Sequence, residues 1–178
     1  MSTYSKDWLE NELITDRSKE NVIRIATLAN QNKISLDFIF ELIELETNKF
    51  NWRAAWVLDH LNQLNSDKVE PFLNRIITFL PKTQNDSLRR TYLKIIGQYS
   101  LPPENEGVLM DECFSLLNNP QSAIAVRAWC IDILCKFLVR YPEIKRELEI
   151  SLKAVIENGS AGEKNRATKA LKTLDKES

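Results

Sequence analysis

Four stretches of this 178-residue chain carry one apolar signature at nearly one interval. Ile39, Leu42 and Ile43 form the first; Ile76, Phe79 and Leu80 the second; Cys113, Leu116 and Leu117 the third; Leu152, Val155 and Ile156 the fourth. Each triplet has the i, i+3, i+4 spacing of a single helical stripe. The leading residue advances by 37, 37 and 39 positions. Self-similarity at that period is the mark of helical hairpins stacked side by side, because one hairpin cannot cover its own apolar faces.

A second set of stripes lies between the first and keeps the same step. Ala54, Val57, Leu58 and Leu61 correspond to Tyr92, Ile95, Ile96 and Tyr99. Those correspond to Cys130, Ile133, Leu134 and Phe137, and then to Ala167, Ala170, Leu171 and Leu174. The spacing predicts first (A) helices near 35–47, 68–80, 104–118 and 143–157. It predicts second (B) helices near 51–64, 86–100, 122–139 and 161–175. A weaker pair near 5–14 and 18–31 precedes them, with Trp8, Leu13, Ile14, Val22, Ile25, Ala26, Leu28 and Ala29 as its apolar face. Asn85-Asp86 suits an N-cap, and Ser160 with Glu163 reads as a capping box behind Gly159. Pro81 and Pro120 stop apolar stripes, Pro142 fits a first turn, and Pro102-Pro103 breaks the chain between repeats. The expected organisation is one domain over 1–178: a capping pair at 1–33, then repeats at 34–66, 67–101, 102–140 and 141–178.

Composition narrows the chemistry. The chain is 43% hydrophobic and 28% charged with a net charge of −1, which argues against a strongly basic nucleic-acid binder. Cys113, Cys130 and Cys135 form no CxxC pair, and their odd number argues against a closed disulfide framework. The first residues lack a basic segment followed by an apolar run, and no stretch approaches the roughly 18 apolar residues of a membrane span. The expectation is a reduced, cytoplasmic protein with no membrane attachment. His60 is the only histidine, and Cys130 and Cys135 point away from each other on a helix, so no metal site is expected. Neither a Gly-flanked serine elbow nor a Gly-rich phosphate loop is present. The chain therefore reads as a protein without catalysis and without a cofactor.

Residues 71–98 resemble a HEAT repeat, a family whose first helix is Leu-rich with an early proline, followed by an Asp-containing turn and a second helix opening on an apolar residue and Arg. Pro71, Asp86, Leu88 and Arg89 stand at those positions, and Val126-Arg127 repeats the last two. The segment from Asn51 to Leu58 also resembles small HEAT-like proteins of Bacteroidota. The resemblance spans roughly 35–175 and implies an all-α, right-handed superhelical solenoid of about five antiparallel helix pairs. Arg53 and Arg166 sit one residue before the apolar frame, whereas Arg89 and Arg127 sit three before it, so these arginines cannot form one uniform ladder.

What remains is a surface. The B-helix stripe beside the buried frame carries Arg53, Trp56, His60 and Gln63, then Thr91, Lys94 and Gln98. It continues through Trp129, Asp132 and Lys136 to Arg166, Lys169 and Thr173. In solenoids this side commonly forms the binding surface. Five cations against Asp132, with Trp56 and Trp129 as anchors, predict an interaction or scaffold module for an acidic or phosphorylated protein partner. Trp52 reads as core or loop-covering. The alternative is a nucleic-acid-binding protein: Trp129 with Asp132 resembles the aromatic-and-carboxylate arrangement of HEAT-like alkylpurine DNA glycosylases. The near-neutral charge and the Trp-to-Asp spacing of three argue against it.

Overall fold

The computed structural model describes residues 3–45, 50–100 and 103–176, and every regular element among them is helical. In chain order these are α1 (Lys6–Thr15), α2 (Lys19–Asn30), α3 (Leu36–Glu44), α4 (Asn51–Leu64) and α5 (Leu73–Phe79). They continue as α6 (Asp86–Ile96), α7 (Pro103–Asn118), α8 (Ile124–Phe137), α9 (Lys145–Asn158) and α10 (Ala161–Lys176). Each overlaps an expected helix, though α5 and α6 are shorter than expected. The expected end of the first A helix at 46–47 and Pro102 lie outside the described residues.

Local chemistry sets the boundaries. Ser5, Ser18 and Ser35 each accept a backbone N–H with the side-chain oxygen and so cap α1, α2 and α3. Asn85 Oδ1 does the same for α6, accepting from the N–H of Ser87 at 2.9 Å. At the far end of α2, Asn32 takes the left-handed conformation (φ 59°), and the next N–H, of Lys33, returns to the Leu28 carbonyl. Before α10, Glu163 Oε2 accepts from both the N–H and the hydroxyl of Ser160, at 2.8 and 2.6 Å. The Ser160 side chain thus donates to the carboxylate instead of capping α10 itself. Gly159 is required just ahead of it, because a Cβ there would sit 2.6 Å from the Val155 carbonyl oxygen.

The helix expected over 68–80 is not continuous. Two 3-10 turns, Ser66–Lys68 and Glu70–Phe72, precede a seven-residue α5, and a third, Leu80–Lys82, follows it. Pro71 and Pro81 explain the break: each removes an N–H from the ladder and fixes its own φ. Likewise α6 stops at Ile96, short of the expected 100, and a turn begins at Gly97.

The chain divides into two compact units, Met1–Ile95 and Ile96–Ser178. Inside the first, α1 packs on α3 and α2 on α4, while α3 pairs with α4. Inside the second, α7 pairs with α8 and α9 with α10, α7 packs on α9, and α8 on α10. A helices therefore meet A helices and B helices meet B helices within each unit, as a stack of hairpins requires. The stripes supply the core: Ile39, Leu42, Ile43, Val57, Leu58, Leu61, Ile76 and Leu80 are buried in the first unit, and Cys113, Leu117, Ile133, Leu134 and Leu152 in the second. Some members stand at its margin. Phe79, Tyr99, Ile156, Ala170 and Leu171 are half-buried. Ile14, expected on the apolar face of the first pair, is 44% exposed, whereas its neighbour Leu13 is buried, so the inward face of α1 runs through Leu9 and Leu13 and leaves Ile14 outside it.

Cys113 and Cys130 are buried free thiols and Cys135 is half-buried. Burial, and then contact with Cys130, raises the Cys113 thiol well above its ordinary range, so it holds its proton and packs as a small apolar group.

Candidate functional site

On α4 the core side is occupied by Ala54, Val57, Leu58 and Leu61, all buried. The i, i+4, i+8 series Trp52, Trp56 and His60 runs along a different face of that helix. Its rings form a ladder: Trp52 stacks on Trp56 with centroids 6.4 Å apart, and Trp56 meets His60 at 5.8 Å. Trp52 is 38% exposed, and Trp56 and His60 are half-buried. Of the two expectations for Trp52, core or loop-covering, the first is corrected: Trp52 is the exposed end of the ladder, as its i, i+4 spacing from Trp56 allows.

Charge surrounds the rings. Lys94, reaching across from α6, donates to Asp59 Oδ2 at 2.7 Å. Burial pulls the His60 imidazole below its ordinary range, and the Lys19 and Lys94 cations add to that shift while Asp59 opposes it. His60 Nε2 and Asp59 Oδ1 are both buried with no protein hydrogen-bond partner.

Arg53 departs most from the expected strip. It is buried, its Nη1 donates to the Leu13 carbonyl at the end of α1 at 2.7 Å, and its guanidinium lies 5.0 Å from the Trp52 ring. Burial, and then the nearby Arg17, lower its proton affinity. The last four carbonyls of a helix have no intrahelical partner, and the guanidinium satisfies one of them at the end of α1. Arg53 thus ties α4 to α1 and supports the ladder from behind.

The second unit holds the other strip residues. Trp129 is half-buried on α8. Asp132 is held on both oxygens by Arg166 of α10, with Nε to Oδ1 at 2.9 Å and Nη2 to Oδ2. Its carboxylate is therefore committed to a cation and is not offered beside Trp129. Lys136 is exposed and donates to the Gly97 carbonyl. Gln98 and Lys169 are exposed. Among the described residues no three His, Cys, Asp or Glu side chains gather into a metal-binding group.

Links between successive repeats recur at separations just short of the repeat interval. Lys6 to Glu41, Asn85 to Asn51, Lys94 to Asp59, Arg127 to Glu163 and Arg166 to Asp132 are separated by 34 to 36 positions. The family model of the HEAT repeat domain matches residues 9–173, nearly the whole chain. The chain is a HEAT-repeat protein. Comparison with the curated proteins and with the solved structures returned no match. No helix among the described residues is long and apolar enough to cross a membrane.

Its HEAT arginines do four different things. Arg53 reaches back to α1, and Arg89 stays local, on Asp86 and Gln84. Arg127 donates to the Leu117 carbonyl at 3.0 Å and to Glu163 at 2.6 Å, and Arg166 reaches back to Asp132. Arg53 and Arg166 share one offset from the apolar frame and Arg89 and Arg127 another, yet members of each pair meet different partners, so the neighbouring elements decide where each guanidinium goes.

Proposed function

We propose that this HEAT-repeat protein is a non-enzymatic interaction module that holds an acidic or phosphorylated segment of a protein partner against the α4 face. The observation that carries this reading is the Trp52–Trp56–His60 ladder, exposed at Trp52 and half-buried beyond it, with Lys94, paired to Asp59, beside it and Lys19 within electrostatic reach. HEAT repeats commonly serve protein–protein contact, and tryptophan is among the residue types that dominate binding energy. An indole face gives an apolar anchor area, and the ammonium groups at its edge favour an anionic neighbour.

An array of acidic and phosphorylated peptides carrying Leu or Phe anchors, read against uncharged versions, tests this. Charged peptides should be retained and should weaken as salt rises. Trp56→Ala should cost roughly 2 kcal/mol, about thirtyfold in affinity, with the helical circular-dichroism signal unchanged. Equal retention of charged and uncharged peptides, or a Trp56→Ala protein that loses its helical signal, overturns the reading. Retention of DNA in preference to the peptides would place the contact with nucleic acid instead.

A further inference from the structure

The second unit contains a cleft of about 270 Å³ with no part in the aromatic ladder. Its apolar lining is Ile96, Ile133 and Phe137, all buried. Lys136, in the last turn of α8, and Arg140, in the turn that follows it, supply two cations to the wall. Glu106, from the first turn of α7, is fully buried in the same wall.

Glu106 decides what the cleft can take. One of its oxygens accepts from the Tyr141 hydroxyl at 2.6 Å, and the other pairs with Arg140 Nη2 at 2.5 Å. One oxygen is hydrogen-bonded and the other, without a hydrogen bond of its own, faces the Arg140 charge, so the carboxylate is already neutralised inside the protein and a cationic guest would have to displace an arginine. The Arg140 side chain, still 48% exposed, is anchored by that buried pair, and Lys136 is held by the Gly97 carbonyl, which carries no formal charge. Two cations and one carboxylate leave the cleft with one uncompensated positive charge. A guest bearing a single negative charge brings it to neutrality. A phosphate dianion would overshoot and set surplus negative charge near buried Glu106. The space equals roughly nine waters at about 30 Å³ each, enough for one branched or aromatic side chain against the apolar lining.

We propose that this cleft binds a single carboxylate carried on a short apolar stem, with Lys136 and Arg140 at the carboxylate and Ile133 and Phe137 along the stem. The C-terminus of a peptide ending in an apolar residue and a free N-acylated amino acid share that chemistry. This site stands apart from the ladder, and neither reading depends on the other.

The test is a titration of the full chain followed by backbone amide resonances. N-acetyl-leucine, N-acetyl-leucinamide, inorganic phosphate and a tetrapeptide ending in leucine are added separately up to about 10 mM, the range expected for so small a ligand. N-acetyl-leucine should shift Gly97, Gln98 and Ser100, and the uncharged amide and phosphate should not. Lys136→Gln should weaken the effect about threefold to fivefold, while Lys94→Gln in the first unit leaves it unchanged. A tetrapeptide binding at least tenfold tighter assigns the site to a peptide C-terminus, and equal binding assigns it to the free acid. Equal shifts from acid and amide, equal shifts from phosphate, no shift at all, or a folded Lys136→Gln protein that binds normally each overturn the proposal.

Discussion

The two units use one helical plan and treat buried charge differently. Up to Ile95 the charge pairs between repeats stay partly exposed, as in Lys6 with Glu41 and Arg75 with Glu44 and Asp37, and the buried Arg53 donates to a neutral carbonyl. The buried carboxylate of that unit, Asp59, meets a lysine whose side chain is one-third exposed. From Ile96 onward two carboxylates go inside, Glu106 and Glu163, and each meets an arginine. Arg127 and Glu163 have side chains only 11% and 5% exposed. A guanidinium fork suits that task better than an ammonium, because it is more weakly hydrated and can serve a carboxylate and a carbonyl together, as Arg127 does. The second unit should therefore be more sensitive to loss of one charge, and the first to loss of apolar volume.

The largest effect should come from Glu163→Gln, which leaves Arg127 buried without its counter-charge and costs about 3–5 kcal/mol in urea unfolding. The double variant Arg127→Met with Glu163→Leu should recover most of that loss, since removing both partners removes the unpaired charge. A single variant within about 1 kcal/mol of the parent breaks the comparison, because that is what an exposed pair gives. In the first unit Leu80→Ala should cost about 2–5 kcal/mol through the cavity it leaves, and an unchanged denaturation midpoint would refute the stripe assignment.

Tyr92→Phe should act in the opposite sense. The Tyr92 hydroxyl is buried with no protein partner, and burial raises its proton affinity. Removing an unsatisfied hydroxyl while keeping the ring against Phe79 should stabilise the first unit by about 1 kcal/mol. A loss of stability would show that the hydroxyl is satisfied.

The smallest effect concerns pH. His60 has its folded-state proton affinity lowered from the ordinary value of 6.5, so its contribution is complete above that value and is lost as pH falls through the lower folded value. His60→Gln should flatten stability over that window. Glu163 is also lowered, from 4.5: burial opposes the shift, but hydrogen bonds from Ser160 and the Arg127 charge overcome it. Its contribution is lost further down, as pH falls below about 4.5. Melting curves in which His60→Gln leaves the first decline intact would assign that decline to another group.

Much of the helix layout was legible because burial repeats. Ile39 and its equivalents recur at one interval, and a helix exposing such a stripe would not persist in water. The breaks were legible too, in Pro71 and Pro81, although the periodic reading passed over the first of them. The candidate site was legible only in part. Trp56 and His60 announce a face by their spacing, yet Trp52 belonged with them and Arg53 did not. Whether Arg53 meets solvent depends on where the Leu13 carbonyl comes to lie, forty positions away. Glu106 looks like an ordinary acidic residue in a first helical turn, where a carboxylate suits the helix dipole. Nothing near it in sequence shows that Tyr141 and Arg140 will close over it.

Sequence by itself determined the helices, their pairing and the repeat, because those follow from local hydrogen bonding and from the spacing of side chains that water expels. Tertiary structure alone decided which charges are hidden, which rings stay exposed and where a cleft remains. Those outcomes depend on groups tens of residues apart arriving within 3 Å of one another, as Arg127 and Glu163 do at 2.6 Å, and the energy of a charge is set by that distance and by the water it excludes.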